Sequence, residues 1–356
     1  MHKFPYRWTL KDAVFTKDKG KVFSCFACGG GSTMGYKLAG FDVIGCNEID
    51  PRMNKVYVAN HHPRFNYLAP IQEFKLRKDL PAELYNLDIL DGSPPCSSFS
   101  MSGSREDGWG KEKKFKEGQA KQVLDTLFFD FIDLAKELQP KVVIAENVKG
   151  LLLGEAMGYV RRIYDEFDKA GYAVCHNLLD ASKMGVPQNR ERVFFTAIRK
   201  DLLQYIPQTP TLFEILPRID FDYNERPIIF SEFADYQGDE CVQKSIRPVW
   251  EKREYGDKGI SDTLVRTGGK DSFWNYRYVY NDRTPDTLHS ELKKFVLFDK
   301  PIYYSRSEVC NIATFPQDYD FIDQDFCYIA GMSVPPVMMA QVASRVYDQW
   351  LSKINK

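Results

Sequence analysis

The stretch Lys21-Val22-Phe23-Ser24-Cys25-Phe26-Ala27-Cys28-Gly29-Gly30-Gly31 decides how the rest of the chain is read. Its first six residues form an apolar run of strand length. The glycine cluster then opens a helical pattern that continues through Leu38. A strand, a glycine-rich turn and a helix start aim backbone N–H groups at a ligand and let it approach the main chain closely. Gly29, Gly30 and Gly31 fit that role. The next apolar run, residues 41–46, ends in Asn47-Glu48, and an acid at that place can bind ribose hydroxyls. The signal fits NAD, FAD, a nucleotide or S-adenosylmethionine alike, and a plain tight turn would also produce it.

Working outward, the alternation continues. Residues 87–90 and 141–146 read as buried strands, and residues 193–198 as a late one. Residues 119–138 carry Val123, Leu127, Ile132 and Leu134 on or near one helical face, and Pro140 stops them. Residues 157–169 read as a further helix, closed by Gly171. Strands and helices of these lengths in alternation predict an α/β fold with a mostly parallel, doubly wound sheet. The pattern breaks near residue 200. From there to about 320 come short apolar pieces, polar turns such as Thr267-Gly268-Gly269, and the aromatic run 273–278, which predict a smaller, irregular β-rich domain. Helical character returns over 335–354, after Pro335-Pro336, with Val342, Val346 and Trp350 in phase. The expected division is therefore 1–20 as an extension, 21–200 as the main domain, 201–320 as the small domain, and 321–356 returning to the main one.

Composition narrows the function. A chain of 356 residues with 44% hydrophobic content supports a large core. Net charge is −1 and the pI about 6.5, so any surface basic enough for nucleic acid must be local. No apolar stretch is long enough to span a membrane, and no secretory start is visible. The cysteines at 25, 28, 46, 96, 175, 241, 310 and 327 are scattered, as in a reduced, intracellular protein. Cys25-x-x-Cys28 has no second such pair and no histidine pair at ligand spacing, so no metal is expected.

Three further segments carry chemistry. In Asp91-Gly92-Ser93-Pro94-Pro95-Cys96-Ser97-Ser98-Phe99-Ser100, a cysteine follows two prolines at a strand exit. Prolines stiffen that exit and hold one side chain at the edge of a cleft. A thiolate so held suits covalent catalysis, although a lone cysteine is more often a small core residue. Glu146-Asn147-Val148 places a carboxylate at a strand end, where ligands bind in open α/β folds. Gln188-Asn189-Arg190-Glu191-Arg192 puts two arginines at spacing two, which on an extended segment point the same way. They could clamp a phosphate or a polar base edge, or simply face solvent.

Taken together, and in this order, the pieces resemble the DNA cytosine C5-methyltransferase family. The resemblance rests on Phe26-Ala27-Cys28-Gly29-Gly30-Gly31, Asn47-Glu48-Ile49-Asp50, residues 93–100, Glu146-Asn147-Val148, residues 188–192, Thr314-Phe315-Pro316-Gln317-Asp318-Tyr319 and Gly331-Met332-Ser333-Val334-Pro335-Pro336. It covers about residues 21–200 and 280–350. It implies a Rossmann-like sheet of the S-adenosylmethionine-dependent methyltransferase kind, with a smaller domain over 201–320 that recognises the target sequence. It implies Cys96 as nucleophile toward C6 of a flipped-out cytosine, and Glu146 at N3 and the exocyclic amine. Arg192, and more loosely Arg190, would hold the base. Phe26 would pack on the cofactor's adenine and Glu48 bind its ribose, with Ala27, Gly29, Gly30, Gly31, Ile49, Ile71, Pro94, Ser333 and Val334 completing the cofactor site. S-adenosylhomocysteine would be the product. Ser100 and Ser102 would touch the backbone of the flipped nucleotide. The polar stretch 101–118, with Gly103, Gly108 and Gly110, reads on its own as a mobile loop closing over DNA or as a plain surface loop. Arg247, Lys252, Arg253, Arg266 and Lys270 are candidate contacts to double-stranded DNA. A monomeric, cytoplasmic enzyme of a bacterial cell or phage-infected host is implied, with a separate restriction endonuclease as a candidate partner. An RNA cytosine methyltransferase and a DNA-binding relative without turnover are the alternatives. The chain departs from the family's pattern at Ser97 (usually Gln), Cys28 (usually Gly), Met332 (usually Asn) and Pro70 (often an acid).

Overall fold

A computed structural model of the chain describes residues 2–95, 126–210, 215–228, 230–233, 261–262 and 306–355. Cys96, Ser100, Ser102, the expected loop 101–118, the aromatic run 273–278, and Arg247, Lys252, Arg253, Arg266 and Lys270 lie outside those residues.

Two compact units emerge, and neither is a continuous stretch of chain. One comprises Val14–Leu179, Glu191–Asp222 and Met339–Lys356; the other comprises Met1–Ala13, Asp180–Arg190 and Tyr223–Met338. The expected boundaries near 20, 200 and 320 therefore shift, and hydrogen bonds give the reasons. Residues 201–222 stay with the first unit because Trp350 Nε1 donates to the Arg218 carbonyl at 2.9 Å. Gln349 also exchanges bonds with the N–H and C=O of Asp220. The N-terminal residues join the second unit because Trp8 Nε1 donates to the Thr314 carbonyl at 2.8 Å, and Leu10 N–H to Asp318. Residues 180–190 join it because Gln188 Nε2 reaches the Ile312 carbonyl.

The first unit is built on a seven-stranded sheet. Its strands are β1 (Lys21–Cys25), β2 (Asp42–Glu48), β3 (Phe65–Leu68), β4 (Ile89–Gly92), β5 (Val142–Val148), β6 (Tyr172–Asp180) and, after the two-residue β7 (Gln188–Asn189), β8 (Glu191–Arg199). The spatial order is β3-β2-β1-β4-β5-β8-β6. Pairings from β3 through β5 are parallel, and β8 runs antiparallel to β5. The helices are α1 (Gly31–Leu38), α2 (Pro51–His61), α3 (Ile71–Phe74), α4 (Leu127–Leu138) and α5 (Met157–Lys169). The doubly wound α/β architecture is the one expected. Strands β3 and β6 were not foreseen. β3 has only four residues, alternating half-buried and exposed, and β6 mixes His176 and Asn177 into its run.

Side-chain alternation assigns the layers. On one face, Phe23, Leu90, Val143 and Ala145 pack with Phe74 of α3, Phe128, Phe131 and Leu134 of α4, and Ile163 and Phe167 of α5. The opposite face carries Asp91 flanked in the sheet register by Ser24 and Ile144, with Cys46 beside Ser24. Tyr36 of α1 and Tyr57 of α2 cover that face, Tyr36 bonding Asp91 and Tyr57 joining Cys46 and Ala27. Glu48 closes β2 and Glu146 lies near the end of β5 on that face, while Phe26, just past β1, packs against the α4 side; all three are at the carboxyl edge, where α/β sheets bind ligands.

In the second unit, β7 pairs parallel with Ser261–Asp262. The helix Arg306–Ala313 and the helix Phe326–Met332 enclose Phe315, Tyr319 and Phe321, whose rings meet at 5.2–6.0 Å. Among the described residues, no helix is long and apolar enough to cross a membrane, and no cluster of His, Cys, Asp or Glu could hold a metal ion.

Candidate active site

The β1–α1 turn carries unusual backbone. Phe26 (φ 52°), Cys28 (φ 47°) and Gly30 (φ 85°) all adopt the left-handed region. For an aromatic residue that conformation is an outlier, and such strain concentrates at functional sites. The turn closes with a 2.8 Å bond from Gly30 N–H to the Ala27 carbonyl, and Ala27 N–H is tied to Asn47 of β2. Helix α1 starts at Gly31 with no side-chain cap hydrogen bond among the described residues and no acid in its first turn. Phe26 leans edge-on against Phe131 with ring centroids 6.2 Å apart.

Glu48 faces this turn from the end of β2. It is buried, yet pairs with no cation among the described residues. Instead, Oε1 accepts N–H bonds from Ile49 and Asp50 at 2.8 Å, and Oε2 accepts one from Cys28 at 2.6 Å. Burial raises its pKa above the ordinary carboxylate range, against the pull of those three donors. Next to it, the Asn47 amide donates to the carbonyls of Tyr67 and Ala69, fixing the chain that leads through Pro70 into α3. Ile71 itself is buried with Phe23 and Phe74.

Three strands farther along the sheet, β5 presents Glu146. Its Oε1 lies 2.9 Å from Arg192 Nε, and both side chains are largely sequestered. The register explains the meeting. Val148 pairs with Arg192 and Glu146 with Phe194, so the two charged residues sit two places apart on one face of an antiparallel pair. Asn147 points elsewhere: its amide donates to the Pro94 carbonyl at 3.1 Å, anchoring the Pro-Pro segment that runs into Cys96. Pro94 is buried beside that anchor.

The two arginines bond different partners. The extended segment is interrupted at Arg190, between β7 and β8. Arg190 belongs to the second unit, where it is buried and donates to the carbonyls of Gly331 and Ser333 at 3.1 and 3.0 Å, and to Gln188 Oε1. It braces the Gly331–Ser333 segment. Ser333 and Val334 are buried in that unit, and Ser333 Oγ has no hydrogen-bond partner among the described residues. Met332, just before Ser333, is exposed.

Sequence reasoning gave no role to Asn47, Asn147 or Asp91. Each is a polar residue closing a strongly apolar strand, and that signal was available: Asp91 follows Leu87-Asp88-Ile89-Leu90 directly. Such residues are buried, so each must bond inside the fold.

Known proteins share both the sequence pattern and the fold. The chain is 38% identical over 185 residues to the type II methyltransferase M.FnuDI of Fusobacterium nucleatum, covering 51% of this chain and 48% of that protein. It is 35% identical over 185 residues to M.NgoPII of Neisseria gonorrhoeae, covering 51% and 49%. It is 33% identical over 168 residues to the orphan methyltransferase M.Rho11sI of Bacillus phage rho11s, covering 46% and 29%. The aligned part thus spans about half or less of each of these relatives. Among solved structures, Spodoptera frugiperda DNMT2 superposes with a TM-score of 0.61 at 19% identity, over 92% of this chain and 99% of that one. This likeness shows the Rossmann-like methyltransferase fold. The description C-5 cytosine-specific DNA methylase belongs to the family model that matches residues 20–348, nearly the whole length, and the chain is a member of that family.

Proposed function

We propose that the protein methylates C5 of a flipped-out cytosine in double-stranded DNA, with S-adenosylmethionine as donor. The observation that carries this reading is the Glu146–Arg192 pair on the edge where Asn147 anchors Pro94, two residues ahead of Cys96. The residues at the turn also fit the cofactor. A carboxylate has about four acceptor positions, and Glu48 accepts three main-chain bonds, leaving capacity for a ribose hydroxyl. The uncapped start of α1 suits the carboxylate of the amino-acid portion. When bound, S-adenosylmethionine supplies an electrophilic methyl group on a sulfonium.

The protein's own part follows from cytosine chemistry. C5 of an aromatic pyrimidine is a poor nucleophile. The Cys96 thiolate adds to C6, and the displaced ring electrons are accommodated toward N3, where Glu146 supplies a proton or hydrogen bond. C5 is then enamine-like and takes the methyl group as its bond to the donor sulfur breaks, leaving S-adenosylhomocysteine as the neutral thioether. Removal of the C5 proton returns the electron pair to the ring and expels the Cys96 sulfur. Arg192 keeps Glu146 aimed and neutralises charge on the ring. Base pairing hides C6, so the base must leave the stack.

Two experiments test this. DNA containing 5-fluorocytosine should trap a denaturant-resistant complex with the wild-type protein and none with Cys96→Ser, because fluorine cannot leave as a proton does. With tritiated S-adenosylmethionine, label should enter DNA. Label entering RNA alone, or full turnover by Cys96→Ser, would overturn the reading.

A further inference from the structure

We propose that Asp91 is a positioning residue, whose carboxylate, shared between Ser24 Oγ and Tyr36 OH, fixes the β1–α1 cofactor turn against the strand leading to Cys96. The inference rests on the cofactor assignment above and adds a residue to it. Asp91 Oδ2 accepts from Ser24 at 2.7 Å and Oδ1 from Tyr36 at 3.1 Å, and all three side chains are buried. Ser24 lies two residues before Phe26, where the strained turn begins. Tyr36 lies on the helix whose N-terminus closes that turn. Asp91 lies five residues before Cys96. One carboxylate thus joins the three elements from which the cofactor turn and the nucleophile segment arise. A packing role alone would be served by Leu or Val, as at Ile89 and Ile144 on the same face, without the cost of burying a charge.

That cost makes the joint sensitive to protons. Burial pushes Asp91 up to about 7, opposed by the Ser24 and Tyr36 bonds and reinforced by the charge of Glu146. Cys25 on β1 and Tyr36 on α1 also feel Asp91, and both are pushed up by burial, so they stay neutral near pH 7. Ionised Asp91 accepts from both hydroxyls at once. Protonated, it holds one of them less well and must place its own proton. The turn is therefore held best above neutrality.

Binding of S-adenosylmethionine to the full-length protein, measured by calorimetry from pH 6 to pH 8, should tighten about fivefold as pH rises. Asp91→Asn should flatten that dependence. Tyr36→Phe, which keeps the ring and removes one bond, should raise KM for S-adenosylmethionine about fivefold and change kcat less than about twofold. If Asp91→Asn fails to fold, Tyr36→Phe and Ser24→Ala carry the test. A wild-type protein that binds no S-adenosylmethionine at any pH would remove the cofactor assignment itself. Normal binding whose pH dependence survives in Asp91→Asn, or a Tyr36→Phe enzyme that loses thermal stability at unchanged KM, would leave that assignment intact and overturn this inference.

Discussion

Two places on the sheet's carboxyl edge, the ends of β2 and β5, present the same side chain in opposite settings. Glu48, at the β2 end, is held by three main-chain N–H groups. Glu146, at the β5 end, is held by one arginine side chain. Main-chain donors are part of the fold and cannot swing away, so Glu48 is a fixed acceptor suited to a ligand that must be gripped. A guanidinium on a flexible stem can shift when a substrate arrives, so Glu146 can trade part of its pairing for a pyrimidine. In the proposed reaction, one edge thus separates a gripping acid from a reacting acid by the kind of partner each has.

That contrast breaks if the two acids fail alike. Glu146→Gln should lower kcat at least about a hundredfold while S-adenosylmethionine affinity stays within about twofold. Arg192→Met should cost stability as well as rate, about 3 kcal/mol by denaturant unfolding, because it strands a buried carboxylate. In a Glu146→Gln background the same arginine change should cost clearly less, and a double-mutant cycle with no coupling would dissolve the pair. Glu48→Ala should weaken S-adenosylmethionine binding about tenfold by calorimetry, with kcat at saturating cofactor near that of the wild type. A collapse of kcat there instead would mean that both acids serve the chemistry.

The same contrast shows what a sequence can display. The turn 26–31, Glu48 and Glu146 were legible because each combines a residue type with a strand end, and strand ends follow from apolar runs. The separation of Arg190 from Arg192 was not legible. Spacing two implies a shared direction only on an unbroken strand, and the break at Arg190 comes from bonds to Gly331 and Ser333, far along the chain. The unit boundaries were hidden for a similar reason. Residues 201–222 look like the start of the irregular region, and only Trp350 and Gln349 reveal where they belong. Asp91 stands in the Cys96 segment of the chain, but its partners Ser24 and Tyr36 lie 67 and 55 residues away.

The smallest expected effect concerns stability, and its sign separates a functional Asp91 from a structural one. Its carboxyl is pushed up by burial from 3.8 to about 7. Between those values the folded chain keeps a proton that the unfolded chain has released. Asp91 therefore favours the fold most at low pH, and this contribution fades as pH rises through 7. From pH 6 to pH 8 the loss is about 1 kcal/mol, a shift of about 2 °C in the melting temperature of the ligand-free protein. Asp91→Asn should abolish that slope relative to wild type, as read by thermal melts at both pH values. S-adenosylmethionine binding is expected to run the other way, tightening as pH rises. A group kept only for stability would move both quantities together. Opposite slopes, both removed by one substitution, mark a buried charge that costs the fold stability and serves the site.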